Sequence, residues 1–308
     1  MASFFTLTEI SNDVLHLPLG FTNAYLVGTP GGAWFLIDTG APGNERKIRD
    51  AAESRFGRGT KPEAILLTHG HFDHAGSARN LANVWDVPIL VHALELPYVT
   101  GESAYPPADP TAPGFMAFLS RFFGMPVTDL SPRARALQPG PIPGMLGWEW
   151  QHTPGHSPGH VSFFRKADAT LIAGDAFATV NLDSFLAVVT RRTQIARPPT
   201  PFTCDWEAAA RSVRKLDALN PLTFACGHGL PLSGADAAYA FEDFAASFPV
   251  PSHGRYVAQP AVVDEHGIRE LPPAPLDRAP GIAGAAGVAA LAGILFAVAA
   301  QRRHRRLA

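Results

Sequence analysis

The stretch THGHFDHAG, residues 68–76, places His69, His71, Asp73 and His74 within six positions, directly after the apolar run AILL. Imidazole nitrogens and carboxylate oxygens so spaced suit zinc, manganese or iron better than calcium, which takes oxygen ligands. Histidines crowded this closely without a cation are hard to satisfy with hydrogen bonds. Further polar loops follow apolar runs in the same way: TPGHSPGH after WEWQ, GD after TLIA and GHG after LTFAC. They add His156, Asp175 and His228. These groups are too many for one tetrahedral ion and suit two ions sharing a carboxylate. Two close ions lower the pKa of a water held between them and polarise a carbonyl or phosphoryl oxygen. His16, His92, His152, His160, His253, His266 and His304 are read as ordinary loop or structural residues.

Strand ends must carry these loops. The runs at 24–27 and 33–38, around the turn GTPGG, read as strands, as do 63–68, 88–92, 148–153, 161–165, 169–175 and 222–229. Helices are expected over 75–84, over 234–248 and over 205–219, where Ala209, Val213, Leu216 and Leu219 recur at helical spacing. A closing hairpin is expected over 254–271. Residues 95–147 form a Pro-rich insertion with one short helix near 115–124. Long insertions of this kind usually cover a site or act in it. Its Tyr98, Tyr105, Phe115, Phe118, Phe122 and Phe123 could line an apolar pocket or simply pack the insertion onto the body. Arg191 and Arg192 follow the Asp175 run and could meet an anionic substrate. Neighbours on an extended strand face opposite ways, so only one, Arg191, is retained.

HGHFDH resembles the HxHxDH signature of the metallo-β-lactamase superfamily. PGHSPGH, AGDA and CGHG are similar to its remaining metal motifs, in the same order, and FLIDTG to its early strand-end aspartate motif. The resemblance spans roughly residues 14–235. It implies an α+β fold, an αββα sandwich with the metals along one edge. It also implies that His69, His71 and His156 hold one metal, that Asp73, His74 and His228 hold a second, and that Asp175 bridges them. Asp38 would orient a ligand or the metal loop from behind, and His160 has a rival reading in a similar role. Two zinc ions are expected, with manganese or iron as substitutes. The full set resembles glyoxalase II-like and lactonase-like hydrolases more than class B β-lactamases. The activity implied is hydrolysis of an ester, thioester or lactone of a small molecule, by a hydroxide bridging the two ions and with Asp73 handling protons. The alternatives are a mononuclear iron persulfide dioxygenase and a non-catalytic membrane-tethered binding protein.

Charge and the chain ends complete the reading. The formal net charge is −2, and the tail 301–308 holds four arginines and no acid, so the remainder is more acidic still. An acidic body without a basic stripe excludes nucleic-acid binding as the main task. Two cysteines, Cys204 and Cys226, are too few for a disulfide framework. The catalytic domain is set at 1–270, and a Pro-rich linker at 271–280 leads to residues 281–300, which carry no charge. That length suits a transmembrane helix, so a single-pass C-terminal membrane anchor is expected, ending in the basic tail and with the catalytic domain in the cytoplasm.

Overall fold

The computed structural model describes residues 7–277, except 123, 125 and 127. The chain divides into two units, Met1–Ala274 and Pro275–Ala308, and the sheets, helices and site below all belong to the first.

Among the described residues, two large sheets dominate. The first runs in spatial order β1 (Thr8–Ser11), β2 (Val14–Pro18), β3 (Asn23–Gly28), β4 (Trp34–Ile37), β5 (Ile65–Leu66), β6 (Ile89–Val91) and β7 (Ala134–Ala136). β1 to β4 pair antiparallel, and β4 to β7 pair parallel. The parallel half needs crossovers. Helix α1 (Glu45–Phe56) joins β4 to β5, and α2 (Phe72–Ala75) with α3 (Ala78–Trp85) joins β5 to β6. Helices α4 (Leu96–Val99) and α5 (Phe115–Ser120) lie before β7.

The second sheet has the order β14, β13, β10, β9, β8, from β8 (Trp148–His152), β9 (Val161–Arg165), β10 (Thr170–Gly174), β13 (Thr223–Cys226) and β14 (Leu232–Ser233). Only β10 and β13 pair parallel. Between them in sequence come the small pair β11 (Ala178–Val180) and β12 (Thr193–Ala196), α6 (Phe185–Thr190) and α7 (Trp206–Asp217). Helix α8 (Ala235–Ala246) and the hairpin β15 (Val262–Asp264) with β16 (Gly267–Glu270) end the unit.

Side-chain alternation creates the layers. Along β4, Phe35 and Ile37 face a core shared with Trp148, Phe163, Ile172 and Ala225 of the second sheet. Trp34 and Leu36 face the opposite way, onto Ile48 and Ala52 of α1 and Leu81 and Trp85 of α3. In the second sheet, Phe164, Leu171 and Phe224 turn outward onto Val213 and Leu216 of α7 and Phe241 of α8. Strands buried on both faces read as apolar runs, as FLI and TLIA do. The result is helix, sheet, sheet, helix, a mixed α/β architecture.

Several expectations need correction. The expected C-terminal transmembrane helix and membrane location are not supported, because no helix among the described residues is long and apolar enough to cross a membrane. Residues 281–300, the basic tail and Phe123 lie outside the described residues. The helix expected over 75–84 is two helices meeting at Gly76 and Ser77. The Gly76 N–H is taken by Gly40 O (3.0 Å), and Ser77 Oγ donates to Ala41 O (2.9 Å), so both tie to the loop after β4. The late hairpin is confined to 262–270. The 95–147 segment is not only a cover, since β7 within it forms the edge of the first sheet.

His92 and His152, at the ends of β6 and β8, stack face to face with centroids 4.1 Å apart and planes 10° apart. His92 Nδ1 accepts the Leu94 N–H (3.2 Å). Burial, with His152 beside it, lowers the His92 pKa to about 4. A histidine depressed on folding contributes stability fully above its unfolded pKa of about 6.5, and loses it as pH falls toward the folded value. The thermal midpoint should therefore fall between about pH 6.5 and about pH 4, and His92→Phe, which keeps the stack but cannot ionise, should fall less steeply. Parallel pH profiles for the two proteins would count against this reading.

Candidate metal centre

Every loop of interest leaves a strand at the edge where the two sheets meet. Asp38 follows β4, Thr68 and His69 follow β5, Asp175 follows β10, His228 follows β13, and His156 lies on the loop from β8 to β9. Backbone bonds tie these loops together: Val161 N donates to Thr68 O (2.8 Å), Gly227 N to Gly174 O (2.8 Å), and Asn23 N to Gly227 O (2.9 Å). Parallel neighbours put their C-terminal loops side by side, which is why residues distant in sequence converge here.

Among the described residues, three sets of side chains could hold a metal ion: His69, His71 and His156; His69, His74 and Asp175; and Asp73, His74 and His228. Within each set the ligand atoms lie within 4.8 Å of one another. His71 Nδ1 sits 3.0 Å from both His69 Nε2 and His156 Nε2. Asp175 Oδ2 lies 3.1 Å from His228 Nε2, 3.5 Å from His156 Nε2 and 3.6 Å from His74 Nε2. Asp73 Oδ2 is 3.6 Å from His228 Nε2 and 3.9 Å from His74 Nε2. All of these residues are buried except Asp73, whose side chain is 14 % exposed.

The ionisation pattern splits the cluster. Burial, and then the neighbouring imidazoles, holds His69 well below its ordinary value, and burial does the same for His156. Burial lowers His71 to about 4. These three are neutral, the form that ligates a metal. Burial also presses on His74 and His228, but the carboxylates outweigh it: Asp175, Asp73 and Asp38 raise His74 well above 6.5, and Asp175 leads in raising His228. Asp175 stays ionised against its burial because His228 and His74 face it.

A divalent cation fits these residues. Nitrogens of His69, His71 and His156 converge with more lone pairs than protons to share. Among the described residues, His74 Nε2 and Asp175 Oδ1 are buried without a hydrogen-bond partner, which a protein seldom tolerates. Space is also reserved on the backbone. A Cβ at Gly227 would stand 2.1 Å from Asp175 Oδ1 and 2.6 Å from His74 Cε1. At Gly70 it would stand 2.2 Å from Val99 Cγ1 and 2.4 Å from the Tyr105 hydroxyl.

A surrounding layer fixes the imidazoles. Asp38, at a positive φ of 57° that a non-glycine residue adopts only under constraint, accepts from Thr68 N and Thr68 Oγ1 (both 2.8 Å). Its Oδ2 also lies 2.9 Å from His74 Nδ1. His228 Nδ1 donates to Phe21 O (2.8 Å). His160 is fully buried, and its Nε2 accepts the Asp175 N–H (2.9 Å), so it holds the loop of Asp175. Burial lowers its pKa to about 3, consistent with that acceptor role.

The residues expected to meet substrate are placed as follows. Tyr98 is 1 % exposed and stacks on Tyr105, with centroids 4.3 Å apart. Tyr105 is buried under Gly70, with its ring edge against His71 at 4.6 Å. Arg191 occupies the left-handed C-cap of α6 rather than an extended strand. Two further rings flank the ligand groups: Phe21, stacked on His228 at 6.1 Å, and Phe202, at an edge-type contact with His71 at 6.3 Å. The sequence reading passed over both, since an isolated Phe in a loop carries no signal. It also passed over Glu95, whose one mark is an acid standing between Leu94 and Leu96.

Residues 17–228 match the metallo-beta-lactamase superfamily, and the chain belongs to that superfamily. It is 40 % identical to the probable metallo-hydrolase YflN of Bacillus subtilis over 230 residues, covering 73 % of this chain and 87 % of the relative. A second protein of that organism, the probable metallo-hydrolase YybB, is 31 % identical over 204 residues, covering 64 % and 79 % respectively. Among solved structures, the BLEG-1 B3 metallo-beta-lactamase is similar, with 26 % identity and a TM-score of 0.50 over 71 % of this chain and 92 % of that one. The superfamily implies divalent metal ions, and the structure holds a His/Asp cluster that could bind them.

Proposed function

We propose that the chain is a binuclear metal-dependent hydrolase acting on an ester, thioester or lactone of a small molecule. The observation that carries this is the place of Asp175. Its Oδ2 stands within 3.6 Å of histidines from both ligand groups, and its Oδ1 has no other partner. On this reading His69, His71 and His156 hold one ion, Asp73, His74 and His228 hold the other, and Asp175 is shared. Zinc is the ion that this donor set suits best, with manganese or iron able to replace it.

Bound ions would supply a water-derived nucleophile at neutral pH and polarise the scissile carbonyl. The chain's own residues do the rest. Asp73 is the one carboxylate of the centre in contact with solvent, and it is placed to take the proton of the attacking water and return it to the leaving group. Asp38 and the Phe21 carbonyl keep His74 and His228 in one tautomer each, with Nε2 turned inward. Phe21 and Phe202 offer apolar faces at either side of the two groups for the substrate's body.

The test is a panel of p-nitrophenyl esters, thioesters and lactones, with nitrocefin as the β-lactam comparison. Turnover abolished by chelator and restored by zinc in the first three classes supports the proposal. Zinc-dependent turnover of nitrocefin alone would reassign the substrate, and oxygen uptake with a persulfide would replace the reaction.

A further inference from the structure

Glu95 is completely buried, yet it belongs to none of the candidate ligand sets. It ends a short 3-10 turn ahead of α4, at the start of the 95–147 segment. Its Oε1 accepts from Ser157 Oγ (2.8 Å) and Gly159 N (2.8 Å). Its Oε2 accepts from Gly70 N (2.9 Å) and from the Tyr105 hydroxyl. Gly70 lies between His69 and His71, and Ser157 follows His156. One side chain thus joins the two loops that carry the first ligand group, one loop on each oxygen. Tyr105 extends the tie, because its ring packs against His71.

None of the four donors belongs to His74, to His228 or to the loop of Asp175. That half of the centre is supported by Asp38, the Phe21 carbonyl and His160, with Asp38 also reaching His69 through the Thr68 hydroxyl. Backbone N–H groups can only donate, and one addresses each oxygen of Glu95. The residue must therefore present two acceptors, which only a carboxylate does. Glutamine has the same shape but would turn an NH2 toward one of the two N–H groups. Aspartate is one methylene short of spanning both loops.

We infer that Glu95 is the positioning residue of the His69, His71 and His156 group alone. This rests on the two-ion reading of the site.

The experiment is a zinc titration of the metal-free full chain against a chromophoric chelator, which resolves each equivalent bound. Glu95→Gln should weaken one equivalent by about 10- to 100-fold, the usual cost of removing a partner that orients a ligand, and leave the other unchanged. Asp38→Asn, which touches His74 directly and His69 only through Thr68, should weaken the other equivalent most. Adding Glu95→Gln to His156→Ala, which already lacks the first site, should change nothing, whereas adding Asp38→Asn should weaken the remaining ion. A general loss of structure would move both equivalents together. Equal weakening of both, or of neither, with wild type binding two ions, overturns the inference and leaves the two-ion reading intact. Wild type binding no zinc overturns both. Should Glu95→Gln not fold, Ser157→Ala removes one of the four donors and is read in the same way, with a smaller loss confined to the same equivalent.

Discussion

Asp175→Ala should leave a folded protein that cannot hold its metal complement, and should suppress turnover more than any other single change at the site. Loss of a residue that merely orients a ligand costs about 10- to 100-fold in metal affinity. Asp175 is surrounded by three imidazoles from both groups, so its removal should exceed that range for both ions at once. It also removes the carboxylate that heads the causes raising His228, so His74 and His228 lose a main source of their basic character. The check is metal content together with turnover: both should collapse, while the thermal midpoint of the metal-free form is kept. A variant that retains its metal and its activity would mean that Asp175 is only a structural acid.

Asp73→Asn should separate catalysis from binding. Asparagine keeps the size of the side chain and one ligating oxygen but cannot accept a proton. If Asp73 handles the proton of the attacking water, kcat should fall by about 10²- to 10⁴-fold, the usual worth of a general base. KM and the zinc content should change far less. Its position favours this role, since it alone among the ligand-type side chains is partly open to solvent. Equal loss of metal and of rate would instead make Asp73 a ligand and nothing more.

Much of this centre was legible because its chemistry is local. THGHFDH gathers four ligand-type groups in one loop, and Asp175 and His228 each follow an apolar run that becomes a buried strand. Strand ends converge for a topological reason, so the order of the loops along the chain carries over into space. The layers were legible in part, since runs such as FLI and TLIA mark strands buried on both faces. What escaped depends on partners far away in sequence. Glu95 accepts from backbone groups near residues 70 and 159, and no composition or periodicity announces such a bond. The packing of Tyr98 and Tyr105 was not legible, because an aromatic in a Pro-rich segment reads alike whether it faces substrate or the underside of a metal loop. The helix over 75–84 was drawn too long because the bonds that interrupt it come from Gly40 and Ala41. An uncharged run of suitable length suggested a membrane span, yet no helix among the described residues could form one.

The most direct test of the account is the metal content of the purified full chain, measured by elemental analysis beside Asp175→Ala. The account predicts about two zinc or manganese ions per wild-type chain, falling sharply in the variant. A folded protein with no metal, or with a single iron that survives the loss of Asp175, would contradict it.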